Sequence, residues 1–361
     1  MTNFLDSTDA EAIHGATGCL RGWRREHQGI KVAVVYGPLS LEDQLYSTEC
    51  PVEQRSSTAL AESLASLGVW FKILDPTEPS FIQEVTQYDV VLSNLHGPFG
   101  EDGRLQGLMD FLRKPYCGSG VSASAVAADK ILCKRVMETL GVPTPDWRVW
   151  GGEPAEWCGD SVMVKDPLGG SSVGMTLVHE EVAFAEALKV AAGTEKHPVL
   201  IETYTPGTPV TVGLLELPSG EVLVFPPLAT NVHEAEFYDA ETKLDATSKG
   251  TVSVAPAELD PSVLTRLIGH SKTLWDGLGL RGQARVDFMV TGADEVYALE
   301  VNSTPGMSWG SNYVTGAVLC GLSHSDVVLA MLHEALTRRP YDVPLPAPVF
   351  TDMTSVREAA A

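Results

Sequence analysis

The sequence predicts a protein of mixed class, in which an N-terminal α/β unit with a parallel sheet precedes α+β parts with antiparallel sheets. In the first third of the chain, short apolar runs alternate with helical patterns, as they do in wound parallel sheets. From about residue 160 to 230, apolar runs instead follow one another and are separated by Gly and Pro turns, which is typical of antiparallel sheets.

Each element is predicted from a local pattern. The β-branched run KVAVVY, which ends at Gly37, predicts a buried strand, and leucines at helical spacing before Gly68 predict the helix that follows. Gly141 and two prolines end an apolar helix and mark a boundary. The other predicted elements are strands at 70–74, 89–94, 283–290 and 297–301, helices at 131–140 and 262–278, and a last helix that begins near Ser325.

Composition narrows the range of partners. The 361-residue chain has 25 Lys and Arg against 47 Asp and Glu, a formal net charge of −22. This excess argues against nucleic acid or an anionic membrane as the main partner, so a phosphate site would need a local cluster of positive groups. The six cysteines form no CxxC pair, no apolar run is long enough for a membrane span, and the N-terminus lacks a signal-peptide pattern. We therefore expect a cytoplasmic protein with reduced thiols.

Three oxygen-bearing residues occur on a predicted β-hairpin. The segments ARVDFMV and YALEVN place Asp287 on one strand and Glu300 and Asn302 on the other. Residues two apart on a strand face the same side, and Asp287 can lie opposite them. Three hard oxygen ligands at one point are what Mg²⁺ binds in proteins. The alternative is that these are three solvated polar residues on an exposed face of the sheet.

A glycine-rich loop follows the predicted strand that ends at Lys165. The loop reads DPLGGSSVG, and glycines let successive backbone amides turn inward and hold phosphate oxygens. Because GxxxxGK[ST] is absent this is not a P-loop, and a Gly–Ser turn alone is also typical of an ordinary hairpin. A second polar loop begins with His96 at the end of a strand, where open α/β sheets bind ligands. Lys130 and Lys243 are by default solvated surface lysines, and Glu202 is by default an ordinary strand carboxylate.

Six segments occur in the order and approximate spacing of one known family. They are LHGPFGEDGRLQG, PYCGSGVSASAVAADK, VKDPLGGSSVG, FYDAETK, ARVDF and LEVNSTPGM. On these motifs the chain resembles the D-alanine–D-alanine ligases of the ATP-grasp superfamily, from about Lys31 to Arg338. The resemblance implies an ATP-grasp fold and an enzyme that joins two amino acids through an acyl phosphate. It also implies ATP and two Mg²⁺ ions, with Mn²⁺ as an alternative, small amino-acid or amine substrates, and a homodimer.

The resemblance and the predicted elements together divide the chain into five parts. These are an N-terminal extension at 1–29, an N-terminal α/β substrate (pre-ATP-grasp) domain at 30–122, a central ATP-grasp subdomain at 123–209, a C-terminal ATP-grasp catalytic domain at 210–340, and a tail at 341–361. The parallel sheet is expected in the substrate domain, and the antiparallel sheets in the two ATP-grasp parts.

The same resemblance implies roles for individual residues. The implied nucleotide-binding set is Lys130, Lys165, Gly170, Ser171, Ser172, Gly174, Glu202 and Tyr204, with Asp287, Glu300 and Asn302 as metal ligands. The implied catalytic set is Arg285, Ser171, Gly306 and Glu42, and the implied substrate-binding set is Glu42, His96, Lys243, Ser311 and Asn312. In this assignment Arg285 and the Gly306 amide stabilise the oxyanion. Glu202 meets the adenine amino group, and Glu42 binds the first ammonium group.

The chain departs from the family pattern at four places. Pro38 replaces a glycine. Where the family usually has a polar-charged pair and then Val-Ser, this chain has Asp43, Gln44, Leu45 and Tyr46, so the serine is absent. Leu244 stands where a tyrosine commonly joins a hydrogen-bonded latch, and Pro209 where a ribose-binding glutamate is often found. The nucleotide and metal motifs are intact while the amino-acid subsites differ, which favours a substrate pair other than two D-alanines.

Other functions remain as alternatives. A specialised ATP-grasp amide ligase of secondary metabolism, with another amino-acid or amine substrate, is the close rival of D-alanine–D-alanine ligation. An inactive nucleotide-binding regulatory protein belongs to another class, and the presence of Asp287, Glu300 and Arg285 counts against it. A nicotinamide-dependent dehydrogenase is disfavoured because no GxGxxG follows the first strand of the α/β unit.

Overall fold

The computed structural model describes residues 2–170, 175–192, 198–232 and 252–338. Several residues of the sequence analysis lie outside this part of the chain, namely Ser171, Ser172, Gly174, Lys243 and Leu244. The backbone of Glu42 is described, but its side chain is outside the described part. The predicted tail also lies outside it.

The N-terminal extension packs into the body of the protein. Strand β1 (Phe4–Asp6) pairs in parallel with a strand of the large sheet, and helix α1 (Ala10–Glu26) lies against the last helix. Ile13, Thr17 and Leu20 are buried at helical spacing on one face of α1. The extension therefore contributes to the hydrophobic core, although its polar sequence predicted no element there.

A parallel sheet forms the N-terminal α/β unit and confirms that prediction. Strand β2 (Lys31–Val35) lies between β3 (Trp70–Leu74) and β4 (Val90–Ser93) and is parallel to both. Four of the five residues of β2 are buried, as expected for a central strand covered on both faces. The helices of this unit are α2 (Leu41–Glu49), α3 (Ser56–Ser66), α4 (Phe81–Val85), α5 (Arg104–Phe111) and α6 (Val121–Ala128).

The second sheet is antiparallel, as predicted for the strand-rich middle of the chain. Its strands are β5 (Trp147–Trp150), β6 (Val162–Lys165), β7 (Met175–Val178) and β8 (Val199–Thr203), in the spatial order β5-β8-β6-β7. Helix α7 (Lys130–Thr139) leads into this sheet, and α8 (Glu181–Ala192) covers it with Phe184 and Leu188. The sheet therefore presents the end of β6 and the start of the glycine-rich loop beside α7.

The large sheet contains β1 and the predicted hairpin. Its other strands are β9 (Thr208–Glu216), β10 (Val222–Val224), β11 (Leu228–Val232), β12 (Val252–Pro256), β13 (Gln283–Val290) and β14 (Val296–Asn302). Strand β13 pairs with both β9 and β14 and is antiparallel to each. Asp287 lies directly opposite Glu300, which confirms the predicted pairing, and a register shift follows between Asp287 and Phe288.

The C-terminal helices connect the large sheet to the N-terminal unit. They are α9 (Pro261–Leu278), α10 (Asn312–Leu319) and α11 (His324–Thr337). Helix α11 buries Val328, Met331 and Leu332, and it contacts α1, α3 and β9. No single helix of the described residues is long and apolar enough to cross a membrane; α10 and α11 pass that test together, by length and composition, but are bent by 100°.

Candidate active site

The β13–β14 hairpin gathers charged and amide side chains around Asp287. Arg285 binds this carboxylate at both oxygens, with Nε 2.9 Å from Oδ1 and Nη2 2.8 Å from Oδ2. Asn302 donates to Oδ2 at 3.0 Å, and Thr211 of β9 donates to Oδ1 at 2.6 Å. Charge-assisted bonds of this kind are the strong ones, so the carboxylate has a fixed orientation.

Lys130 links the hairpin to the glycine-rich loop. It is the first residue of α7, and its Nζ lies 3.2 Å from Oε2 of Glu300. The same ammonium donates to the carbonyl of Gly169 at 2.5 Å. Gly169 and Gly170 are the last described residues of the predicted glycine-rich loop before residue 171. The ammonium group therefore lies between the carboxylates and the start of that loop, where it can contact an anionic ligand.

The neighbouring carboxylates favour the charged form of the Arg285 guanidinium. Burial works against the charged form of Arg285, but Asp287 outweighs it and the pKa of the guanidinium is raised, with smaller contributions from Glu300 and Glu101. Glu101 also accepts the backbone N–H of Gly97 at 2.8 Å, so the loop that begins with His96 lies within electrostatic reach of the hairpin. The Arg285 and Asp287 side chains are 22% exposed, so a ligand from solvent can reach them.

The donor set of the hairpin fits a hard divalent cation. Asp287 and Glu300 offer carboxylate oxygens and Asn302 offers an amide, and these are donors that Mg²⁺ and Mn²⁺ prefer. Within the described ranges, no three His, Cys, Asp or Glu side chains could hold a metal by themselves, so ligand oxygens would complete the shell. The Asn302 amide presents its NH₂ group to Asp287, and a half-turn of the planar amide would present its oxygen.

A second charge cluster is buried around Glu202 of β8. The carboxylate is 2% exposed, with Lys165 Nζ 2.7 Å from Oε1 and Lys134 Nζ 2.6 Å from Oε2. Burial works against the ionised carboxyl, but the two ammonium groups outweigh it and lower the pKa of Glu202. Lys134 also donates to the hydroxyl of Thr144 at 2.5 Å. Glu202 therefore fixes Lys165 at the end of β6, where the glycine-rich loop begins.

Lys134 is absent from the set of residues that the sequence predicted. It lies one turn after Lys130 on α7 and is fully buried, and this burial lowers its pKa while Glu202 acts in the opposite direction. A lysine on an amphipathic helix is ordinarily solvated. The signal that could have identified Lys134 is its place between Ile131 and Met137, three residues from each, on the apolar face of α7.

Tyr204 directly follows β8 on the nucleotide side of the predicted site. Its backbone N–H donates to the carbonyl of Ser161 at 2.9 Å, and its ring packs edge-on against His179, with centroids 6.3 Å apart. The residue therefore extends the pairing of β8 with β6 by one hydrogen bond, directly after the strand that carries Glu202. Its predicted part in reading the adenine ring stays a prediction.

The loop that begins with His96 is fastened to the start of α2. Asp43 is 1% exposed; it accepts the backbone N–H of His96 at 2.9 Å and caps α2 together with Ser40. The Nδ1 atom of His96 lies 3.6 Å from Oδ1 of Asp43, and Tyr46 packs edge-on against the imidazole with centroids 5.6 Å apart. Both residues belong to the stretch 43–46, which the sequence analysis predicts to differ from the family pattern, and both contact this histidine.

The segment after β14 carries the remaining predicted residues. Ser311 donates to the carbonyl of Gly306 at 2.8 Å and caps α10, of which Asn312 is the first residue. Asn94, which directly follows β4, donates to the carbonyl of Pro305 at 3.4 Å. This contact places the Gly306 segment beside the loop that begins with His96, although the two are far apart in the sequence.

Comparison with known proteins identifies the family. The profile for "D-ala D-ala ligase C-terminus" matches residues 148–333, and that for "D-ala D-ala ligase N-terminus" matches residues 53–119. A D-alanine–D-alanine ligase from Synechococcus sp. is 35% identical over 303 residues, which cover 81% of this chain and 91% of that protein. Another from Syntrophotalea carbinolica is 34% identical over 321 residues and covers 88% and 99%. The chain belongs to the D-alanine–D-alanine ligase family.

Solved structures agree on the fold. The D-alanyl-alanine synthetase A of Vibrio cholerae superposes with a TM-score of 0.74 at 20% identity and covers 86% of this chain and 99% of its own. A D-alanine–D-alanine ligase from Bacillus anthracis gives 0.71 at 25% identity, with 85% and 98% covered. These neighbours have the ATP-grasp fold, which confirms the predicted fold. As a member of this ligase family, the chain is an ADP-forming, amide-forming enzyme rather than a regulator or a dehydrogenase.

Proposed function

We propose that this ligase joins two molecules of D-alanine at the expense of ATP, with ADP and phosphate as the other products. The observation that carries the proposal is the hairpin cluster of Asp287, Glu300 and Asn302 beside Lys130 and the glycine-rich loop, in a chain whose relatives are D-alanine–D-alanine ligases. This arrangement combines a metal–phosphate site with two residues, Arg285 and Gly306, suited to an oxyanion.

The chemistry of amide formation explains why such a site is needed. A carboxylate is a poor electrophile because its oxygen is a poor leaving group, so the first amino acid must be activated. Transfer of the γ-phosphoryl group of ATP gives an acyl phosphate, and this transfer depends mainly on positioning and on spreading negative charge. Mg²⁺, held by Asp287, Glu300 and Asn302, would neutralise charge on the phosphates.

The basic side chains complete the charge stabilisation. Lys165, fixed by Glu202, and Lys130, between Glu300 and Gly169, would bind the phosphates with the glycine-rich loop. When the amine of the second amino acid attacks the acyl carbon, a tetrahedral oxyanion forms and phosphate then leaves. Arg285 and the backbone amide of Gly306 would stabilise this oxyanion.

The amino-acid subsites are proposed from the family resemblance. Glu42 would bind the ammonium group of the first D-alanine, and His96 would lie near its carboxylate. Ser311 and Asn312 would bind the carboxylate of the second D-alanine, and Lys243 would face the transferred phosphoryl group. The contact of Asn94 with Pro305 supports this grouping because it joins the His96 loop to the segment that carries Gly306 and Ser311.

A different amino acid in the first subsite is a second candidate. The observation that favours it is the immediate surroundings of His96, where buried Asp43 accepts its backbone N–H and Tyr46, which stands where the family usually has serine, packs on the imidazole. A carboxylate and an aromatic ring beside the imidazole change both the charge and the shape of this subsite.

The test is an assay of ADP release over a panel of amino acids, with products identified by mass spectrometry. We expect D-alanine alone to support turnover, with one ADP formed for each dipeptide. Turnover with another pair while D-alanine is inactive would favour the second candidate. Absence of ADP formation with every carboxylate–amine pair would contradict the proposed ligase activity.

We further propose three properties that the family resemblance implies, namely two bound metal ions, a homodimer and a cytoplasmic location. The strongly acidic chain, with a net charge of −22, supports small-molecule substrates rather than nucleic acid. Light scattering after size-exclusion chromatography tests the homodimer: we expect twice the 38.7 kDa mass of the chain, and a single-chain mass would contradict it.

A further inference from the structure

Side chains hold the backbone around Gly306 through three hydrogen bonds to two consecutive peptide groups. The bonds are Asn94 Nδ2 to the Pro305 carbonyl at 3.4 Å, Ser311 Oγ to the Gly306 carbonyl at 2.8 Å, and the Met307 N–H to Ser56 Oγ at 3.1 Å. Two of the partners, Asn94 and Ser56, belong to the N-terminal α/β unit. This unit therefore helps to set the conformation of a segment that follows the catalytic hairpin.

His324 holds the next carbonyl of the same segment. Its Nε2 lies 2.8 Å from the Met307 carbonyl oxygen, and its Nδ1 lies 2.7 Å from the hydroxyl of Ser63. A carbonyl can only accept, so Nε2 carries the hydrogen; in a neutral ring Nδ1 then accepts from Ser63. Burial lowers the pKa of His324, which favours the neutral ring. The two partners therefore fix one tautomer and one ring orientation.

Helix α3 is the element that supports this arrangement. Ser56 and Ser63 are seven residues apart on α3, so they face the same side, and each is 2% exposed. The ring of Trp309 packs on His324 with centroids 4.6 Å apart, and its Nε1 donates to Glu62 of α3 at 2.9 Å. Helix α3 thus holds the Gly306 segment directly through Ser56 and indirectly through His324.

Hydrogen bonds are needed to fix the backbone conformation at Gly306 because neighbouring side chains do not restrict it. No heavy atom lies within 4 Å of the position a Cβ would occupy there, and glycine itself has wide backbone freedom. Among the described residues, the N–H of Gly306 donates to no acceptor. Bonds on both sides of a free glycine amide are what would aim it at a ligand without reorganisation during the reaction.

We propose that His324, supported by Ser63, is a positioning residue that fixes the backbone beside Gly306 so that its N–H points at the oxyanion. The inference rests on the proposed function, because the oxyanion arises only when an amine attacks an acyl phosphate. Phosphoryl transfer to the carboxylate forms no tetrahedral carbon. A displaced Gly306 amide should therefore slow the second step and leave the first step intact.

This division between steps has a measurable consequence. An acyl phosphate that waits for the amine is exposed to water, which attacks phosphorus, breaks the P–O bond and returns the free carboxylate and phosphate. The net reaction is then hydrolysis of ATP to ADP and phosphate without dipeptide. A loss of folding or of ATP binding would lower ADP and dipeptide together, whereas a misplaced amide raises the ratio of ADP to dipeptide above one.

The test compares two substitutions of His324. His324→Phe keeps a ring against Trp309 but removes both hydrogen bonds. We expect its kcat for dipeptide formation to fall about tenfold, a part of the roughly 10²–10³-fold that an oxyanion donor supplies. The ratio of ADP to dipeptide should rise above one, and the KM for ATP should stay within about twofold. His324→Gln keeps an N–H within reach of the Met307 carbonyl and should restore a ratio near one.

Ser66→Ala is the matched control. Ser66 lies on α3 near Ser63, and its hydroxyl is 3.1 Å from that of Ser325 in α11, so it joins the same two helices without touching the Gly306 segment. The ratio should remain one in this variant. If His324→Phe does not fold, Ser63→Ala replaces it, because it removes the hydroxyl but keeps the imidazole.

The outcomes separate this inference from the proposed function. If His324→Phe has a ratio of ADP to dipeptide of one and an unchanged kcat, the inference is overturned and the ligase activity stands. If Ser63→Ala has to be used, a ratio of one in that variant has the same consequence. A ratio that rises equally in Ser66→Ala would also overturn it, because a general loosening of the interface would then explain the effect. Wild-type protein that forms no dipeptide would overturn both proposals.

Discussion

The two charge clusters that α7 connects differ in exposure and in how freely they can change partners. The side chains of Lys134, Glu202 and Lys165 are 0%, 3% and 9% exposed, whereas those of Asp287, Arg285 and Glu300 are 22%, 22% and 29% exposed. Removing one partner from a buried ion cluster leaves an uncompensated charge, whereas partly exposed charges can be solvated or bound by a ligand. The buried cluster therefore fixes the position of Lys165, and the partly exposed cluster is suited to bind metal and phosphate.

The largest effect on activity is expected at the partly exposed cluster. Glu300→Gln removes one of the two carboxylate charges of the predicted metal site, and we expect Mg²⁺-dependent ADP formation to fall by about 10³-fold, since a metal contributes several kcal/mol to charge stabilisation. The thermal midpoint should stay close to that of the wild type. A coupled assay of ADP release at varied Mg²⁺ measures this, and unchanged turnover would remove Glu300 from the site.

The largest effect on stability is expected at the buried cluster. Glu202→Gln leaves Lys134 and Lys165 without a counter-ion, so we expect the free energy of unfolding in urea to fall by about 3–5 kcal/mol. The control is Glu186→Gln, which removes a partner of Lys189 from an ion pair whose side chains are 71% and 72% exposed. The control should have no measurable effect. Equal stability of the two variants would contradict the distinction between the clusters.

A smaller effect is expected from the hydroxyl that orients Asp287. Thr211→Val removes the 2.6 Å bond to Oδ1, and we expect the Mg²⁺ concentration for half-maximal activity to rise about tenfold, as for other groups that orient metal ligands. Thr230, which is also 5% exposed, lies on the neighbouring strand β11 and gives the matched control Thr230→Val. An equal response to Mg²⁺ in the two variants would show that Thr211 does not orient the carboxylate.

The smallest effect is expected in how the thermal stability changes at acidic pH. The pKa of Glu202 lies below its ordinary value of 4.5, so its contribution is fully present above that pH and is lost as the pH falls through the lowered pKa. The difference in thermal midpoint between wild type and Glu202→Gln should therefore be constant near neutral pH and shrink in strong acid. A difference that grows on acidification would contradict an ionised, paired Glu202.

The sequence predicted those features that depend on a local pattern. Alternating residues and a short connection are sufficient to pair Asp287 with Glu300, and the structure has that register. Apolar runs between Gly and Pro turns predicted the antiparallel middle sheet, which is also present. Lys130 and Glu300 occur in segments far apart in the chain, and only the resemblance to a family suggested that they share a site.

Features that depend on distant partners were not predicted. The burial of Lys134 requires Glu202 from another element, and the orientation of His324 requires Ser63, 261 residues away. The place of Lys134 on the apolar face of α7 indicates burial but not its partner, and no local pattern indicates the partner of His324. Helix α1 was not predicted either, because Ile13 and Leu20 on its buried face are too few large aliphatic residues to give a clear helical pattern.

The most direct test of the central claim is the binding of Mn²⁺ in the presence of a non-hydrolysable ATP analogue, measured by electron paramagnetic resonance on wild type and Glu300→Gln. If the hairpin holds the metal–nucleotide complex, the wild type will show saturable Mn²⁺ binding that is lost in the variant, with no change in thermal midpoint. Equal Mn²⁺ binding by both proteins would contradict the assignment of the hairpin as the metal site.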